Sequence, residues 1–265
     1  MNRRIAGVLA VFVACGSSAA QDLRVVSTDF AYRAPARTRP GVHRITLVNH
    51  GRDVHHLVIA RLTDSLDAQR AFQLIVRNQP APAEVHDVGG PNAAAPGDSS
   101  VAWVRLEPGR YMLSCWITAP DGQLHVMKGM FAQLDVAGEP VRTVHPRPTL
   151  RITAREYSLE VSRAIRAGVT TVEFVNDGKQ EHDLQIVRLD DGTSASRVAE
   201  RMEGDTAAMN GARFVGGVSG VGPGRRAWTQ VRLSAGRYAL FCFVPDERDG
   251  KSHFRHGMLR EFIVH

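Results

Sequence analysis

Short runs of alternating or β-branched residues recur along the chain. In the first half they are Ile45 to Val48, His56 to Ala60, Val101 to Leu106 and Tyr111 to Ile117. In the second they are Thr170 to Val175, Leu184 to Val187, Trp228 to Leu233 and Tyr238 to Val244. Patterns of this length predict strands with one buried face. Turn chemistry separates them, at Arg39-Pro40-Gly41, Glu107-Pro108-Gly109 and Ala119-Pro120-Asp121-Gly122. Helical spacing is confined to Ser65–Val76, with Thr63 or Asp64 as the N-cap, and to a shorter counterpart at Ala195–Met202. This order predicts an all-β chain: a Greek-key β-sandwich built twice, each copy with a short helical insertion.

The two sets of strands belong to a tandem repeat. Shifting the sequence by 127 residues places Asn49 on Asn176, Gly51 on Gly178, His55 on His182 and Leu57 on Leu184. Gly89-Gly90 then falls on Gly216-Gly217, Gly109-Arg110-Tyr111 on Gly236-Arg237-Tyr238, and Cys115 on Cys242. One further inserted residue pairs His125 with His253 and Met130 with Met258. An offset held this long indicates duplication. The expected organisation is a leader at 1–20, domain one at 21–138, a linker at 139–148 carrying Pro140, Pro146 and Pro148, and domain two at 149–265.

Composition narrows the class. With 43% hydrophobic and 23% charged residues over 265 positions, the chain is neither disordered nor collagen-like nor a multispanning membrane protein. The net charge of +6 comes almost wholly from scattered arginines, with Lys128, Lys179 and Lys251 as the lysines. No dense basic run forms a nucleic-acid stripe. At the N-terminus Arg3 and Arg4 precede the apolar run Ile5 to Ala14 and the small residues Gly16 to Ala20, the layout of a secretory signal cut after Ala20. Phe12-Val13-Ala14-Cys15 also resembles a lipobox, which would make Cys15 a lipid anchor. Both readings predict an exported protein, periplasmic or extracellular, without a transmembrane span.

The duplicated polar residues are chemically selective. Each unit keeps a His, a Cys, a second His and a Met: His55, Cys115, His125 and Met130, then His182, Cys242, His253 and Met258. His256, two residues before Met258, is an alternative to His253. Two imidazoles, a thiolate and a weak thioether are the donors of a blue-copper electron-transfer site. From their positions alone, Cys115 and Cys242 could equally form one disulfide or serve as two separate thiols.

The segments V-N-x-G-x-x-x-H, P-G-R-Y-M-L-S-C and H-V-M-K-G-M, with V-N-D-G-K-Q-E-H, A-G-R-Y-A-L-F-C and H-F-R-H-G-M in the second unit, resemble the cupredoxin (plastocyanin- and azurin-like blue copper) family. The resemblance spans nearly all of both units. It implies tandem cupredoxin-like sandwiches with copper near one end, held by the His, Cys, His and Met at these positions, up to two type-1 coppers per chain. One departure stands out, because small cupredoxins place the second His only a few residues after the Cys. Here the loop is longer, as in two-domain copper nitrite reductases. Those enzymes carry a His immediately before the Cys, whereas Ser114 and Phe241 stand there in this chain, and no His-x-His pair occurs. The expected function is electron transfer with a redox partner protein of the cell envelope. The alternatives are a metal-free or copper-sequestering binding module and, behind it, a two-domain copper enzyme. Gly89-Gly90 and Gly216-Gly217 are expected in loops, and Trp103 and Trp228 in the core or on a sheet face.

Overall fold

The structure is a computed structural model that describes residues 21–77, 82–204 and 209–265. The leader and Cys15 lie outside the described residues. The first half contains β1 (Gln21–Thr28), β2 (Ala31–Arg33), β3 (Arg37–Thr38), β4 (Gly41–Asn49), β5 (Val58–Leu62), α1 (Ala68–Ile75), β6 (Val85–Gly89), β7 (Ser99–Leu106), β8 (Gly109–Ser114) and β9 (Phe131–Val136). The second contains β10 (Leu150–Arg155), β11 (Ser158–Val161), β12 (Gly168–Asn176), β13 (His182–Leu189), α2 (Ala195–Gly204), β14 (Ala212–Val221), β15 (Arg226–Leu233), β16 (Gly236–Phe241) and β17 (Leu259–Val264). Each half is a two-sheet sandwich with its first long strand in a parallel pairing, β1 with β4 and β10 with β12; β3 also runs parallel to β9, and the other pairings are antiparallel. The chain is all-β apart from its short helices, and both halves have a cupredoxin-like Greek-key fold.

The halves are not separate bodies on a string. The sheet order β11-β10-β12-β15-β7-β4-β1-β2 runs unbroken through both, as does β17-β16-β13-β14-β6-β5-β8-β9-β3. They join edge to edge where Trp228 pairs with Trp103 and Thr229 with Ala102 in one sheet, and Val221 with Val88 in the other. The junction has an internal near-symmetry. Asn92 Nδ2 donates to Leu184 O (3.0 Å), and Ser219 Oγ, 127 residues on, donates to Leu57 O (2.6 Å). Ser219 N reaches Gly90 O and Asn92 N reaches Gly217 O in the same reciprocal way. Edge pairing removes four exposed strand edges that would otherwise template aggregation. One apolar core, including Leu47, Val104, Leu184 and Val218, continues through both halves.

α1 begins at Ala68 and its cap is Asp67, whose carboxylate accepts from Arg70 N (2.7 Å). Thr63 and Asp64 instead lie in a turn closed by Leu66 N to Thr63 O, so the backbone is already committed before the helix begins. α2 has ten residues against eight in α1, so the second insertion is the longer. Gly89, Gly216 and Gly217 lie in strands, with Gly90 immediately after one. A Cβ on Gly90 or Gly217 would stand 1.8 Å from Leu57 O or Leu184 O, so close backbone approach beside a bulge explains them. Tyr111 and Tyr238 close corners, each hydroxyl bonding the backbone N–H and C=O of the residue four positions before it.

Candidate metal centre

The Cys and the first His of each unit are placed by the ends of two neighbouring strands. β8 stops at Ser114 and β16 at Phe241, so Cys115 and Cys242 sit just past the last ladder bonds. β5 and β13 run antiparallel to them, which brings His55 and His182 to the same end of the sheet. The long loop after the Cys folds back on itself. In the first unit Ala119 N bonds Gln123 O and Gly122 N bonds Ala119 O; in the second Asp246 N bonds Lys251 O. The extra residues are spent in this excursion. Afterwards His125 N returns to Ile117 O (2.9 Å) and Val126 N to Cys115 O (2.8 Å), matched by His253 to Val244 and Phe254 to Cys242. The short 3-10 turns His125–Lys128 and His253–His256 follow, seated by Val126 against the α1 cluster and by Phe254 against the α2 cluster.

The outcome is two equivalent groups, His55–Cys115–His125 and His182–Cys242–His253, each with its donor atoms within 4.8 Å of one another. The two Nδ1 atoms face each other at 3.1 Å in both. Cys115 Sγ lies 3.5 Å from His125 Nδ1, and Cys242 Sγ lies 3.5 Å from His253 Nδ1 and 3.8 Å from His182 Nδ1. Bonds of about 2.0 Å to nitrogen and about 2.3 Å to sulfur imply donor separations of roughly 3.2–3.8 Å. The observed spacings fit one small cation. Met130 and Met258 are fully buried, and their backbone ties Cys to the second His: Met130 N bonds His125 O while Cys115 N bonds Met130 O. Both cysteines are free and buried in different clusters, which decides for two separate thiols over a disulfide.

His256 is not in the second group. Its Nε2 lies 3.1 Å from Asp249 and its ring rests on Tyr157. His253 occupies the place beside Cys242, because its backbone is pinned to Val244 at the start of the turn.

The far nitrogens of the rings expose what the sequence reading missed. His55 Nε2 faces Asp29 (3.4 Å) and His182 Nε2 faces Glu156 (3.5 Å). His125 Nε2 faces Asp53 (3.6 Å), and His253 Nε2 faces Gln180 Oε1 (3.3 Å) with Asp246 behind it. For His55 and His253 an oxygen acceptor within hydrogen-bond reach favours the ring N–H at Nε2 and leaves Nδ1 free for the cluster; the Nε2 atoms of His125 and His182 have a carboxylate nearby but no hydrogen bond. The signal was available: the 127-residue offset puts Asp29 on Glu156. Gly51 and Gly178 are required there, since a Cβ would meet the carboxylate at 2.4–2.5 Å and the His Nε2 at 2.6–2.8 Å. Asn49 and Asn176 brace the same loops, each accepting from that glycine N–H and donating to two backbone carbonyls.

Burial governs the charge states. It lowers His55 and His182 below the ordinary imidazole value, and brings His125 and His253 down to about 4, with the facing imidazole adding to the effect. It pushes the Cys115 thiol up to about 11, and Cys242 well above its ordinary value. Against partial burial, backbone N–H bonds hold the Asp29 and Glu156 carboxyls low. Two neutral rings, a protonated thiol and outer carboxylates form a site in which a cation must displace the thiol proton.

No family model and no curated protein matches the sequence. Among solved structures the chain is similar to a dithionite-reduced auracyanin from Roseiflexus castenholzii (20% identity, TM-score 0.30, covering 45% of this chain and 99% of that one). It is also similar to a copper nitrite reductase from Nitrosomonas europaea (13% identity, TM-score 0.27, 94% of each chain). A copper-containing nitrite reductase from Thermus scotoductus SA-01 gives 16% identity and TM-score 0.27, over 92% of this chain and 61% of that one. Strand order and donor placement, taken from the chain itself, describe two joined cupredoxin-like sandwiches, each bearing one His–Cys–His group.

Proposed function

We propose that this chain is an exported copper-binding protein whose two His–Cys–His–Met groups are type-1 centres serving electron transfer to a redox partner protein of the cell envelope. The observation that carries this reading is the pair of Nδ1 atoms 3.1 Å apart beside a buried thiol, repeated in both halves. With both rings protonated at Nε2, the two buried Nδ1 lone pairs face each other and a cation between them turns that repulsion into coordination. Two nitrogens and one sulfur, with a buried Met tied through its backbone to the Cys and the second His, suit copper above harder cations. Bound copper supplies one-electron exchange. The protein contributes a donor set fixed by sheet ends, backbone ties across Cys, His and Met, and carboxylates that orient the rings.

Export rests on the leader pattern of residues 1–20, and among the described residues no helix is long and apolar enough to cross a membrane. Titrating purified protein with Cu(II), while following visible absorption and metal content, tests the reading. An intense thiolate-to-copper band saturating at two equivalents per chain supports it. Colourless protein that retains no copper overturns it and leaves a metal-free tandem module.

A further inference from the structure

A cleft of about 730 Å³ opens between the two halves on the side of the second sheet. It belongs to neither metal group, yet the residues following their ligands form part of its wall: His56 and Trp116 from the first half, Asp183 and Phe243 from the second. Much of the remaining wall is apolar, with Val58, Met112, Ile117 and Leu124 among it. Six carboxyl side chains line this surface: Glu203 and Asp246, ion-paired with Arg255 and Arg248, then Glu247, and a set of three, Asp87, Glu181 and Asp183. Asp87 and Glu181 come from opposite halves and hydrogen-bond each other. Among the described residues no salt bridge joins an arginine or lysine to any of the three; the arginine in the wall, Arg248, is paired with Asp246. Gln185 also lines the cleft. It is only 5% exposed, and its Oε1 has no hydrogen-bond partner.

A buried acceptor without a donor costs on the order of 1–3 kcal/mol, and a polar group in that position is normally satisfied by something. Here the unmet acceptor lines the same cleft as carboxyl groups that, among the described residues, form no salt bridge. Asp87 and Glu181 hold one proton between them, and that pair with Asp183 leaves negative charge that Arg225 and His86, acting on Asp87, only partly offset. The missing occupant is therefore a donor and positively charged. The apolar walls add that it carries a hydrocarbon or aromatic body, and the volume lies within the range of small-molecule pockets. A bare metal ion fits less well, because among the described residues Asp87, Glu181 and Asp183 belong to no cluster of donors close enough to share one. We infer that the cleft between the halves is a binding site for a small organic ammonium ion, its N–H groups directed at Gln185 and the Asp87–Glu181 pair and its body against Trp116 and Phe243.

The test uses metal-free protein, so it does not depend on the copper reading. Benzylammonium and the isosteric benzyl alcohol are titrated at pH 8, following tryptophan fluorescence and heat. The expected result is saturable binding of benzylammonium with the alcohol at least tenfold weaker, and a tenfold or greater loss for the cation in Glu181→Gln and in Gln185→Leu. Asp87→Asn repeats the test from the other half if Glu181→Gln does not fold. Absence of saturable benzylammonium binding, equal affinity for alcohol and cation in the unmodified protein, or unchanged cation binding in folded variants overturns the assignment.

Discussion

The two metal groups share their donors and differ in what stands behind the cysteine. In the first, Trp116 N donates to His56 Nε2 (2.8 Å). In the second, Phe243 N donates to Asp183 Oδ1 (2.9 Å), and Asp183 N in turn donates to Cys242 Sγ (3.3 Å). Both solutions pin the residue after the Cys, one with a neutral ring and one with a carboxylate. Burial keeps His56 uncharged by lowering it to about 3, whereas it raises Asp183 to about 6 and leaves that group ionised at neutral pH. The second His is also held differently. His125 faces Asp53 and packs on Phe30, while His253 meets a network of Gln180, Asp246, Tyr157 and Arg248. Duplication has kept the inner donors and let the surrounding charge diverge, the expected pattern if geometry is common to both and the electrostatic setting is what distinguishes them.

The largest effect that can break the equivalence is loss of a thiol. Cys115→Ser and Cys242→Ser should each remove one of two copper equivalents and half of the visible band, measured by titration. Loss of both from one substitution would show that the groups are not independent. Next comes the outer carboxylate. Asp29→Ala and Glu156→Ala should each lower copper affinity of their own group by about 10–100-fold, as expected for a partner that orients a ligating His. Competition with a chelator reads this directly.

Charge sharpens the comparison further. A single unpaired charge a few ångströms away, at an effective dielectric near 20, is worth about 2–3 kcal/mol, on the order of 100 mV for one electron. The second centre should therefore have the lower reduction potential, and Asp183→Asn should raise it toward the first; voltammetry of the single-Cys variants measures both. The same substitution has a stability signature without metal. A carboxyl raised in the folded state contributes stability that is full below about 4 and lost as pH rises through about 6. Asp183→Asn should thus stabilise the apo protein by roughly 1–3 kcal/mol above pH 6 and change little below pH 4. The buried histidines act in the opposite sense: their folded values are depressed, so apo stability is full above about 6.5 and falls as pH drops through about 4. Thermal midpoints across pH separate the two.

The smallest effect lies at the junction. Ser219→Ala removes one hydrogen bond to Leu57 O and should cost about 1 kcal/mol, while Asn92→Ala removes bonds to Leu184 O and Val218 O and should cost more. Denaturant unfolding should stay a single transition in both, since the sheets and the core are continuous.

Much of this was legible in the chain. Strand runs, tyrosine corners and the order His, Cys, His, Met are periodic or repeated features, and a duplicated sequence marks what both copies retain. Less legible were features set by contacts far apart in sequence. Asp29 and Glu156 read as ordinary acidic residues until the loop carrying Gly51 or Gly178 folds over them. Gly217 read as a loop glycine because nothing nearby in sequence reveals the approach of Leu184 O.

The all-β class, the duplication, the six His and Cys positions that the fold gathers and the absence of a dense basic stripe were readable from the chain, because these depend on residue type and local spacing. Tertiary structure alone decided between His253 and His256, made two thiols out of a candidate disulfide, and fused the sandwiches into continuous sheets around a shared cleft. Each of those outcomes rests on groups more than a hundred residues apart or on the path of a folded loop. Period and composition carry no record of which strand edge meets which, so only the packed chain could settle them.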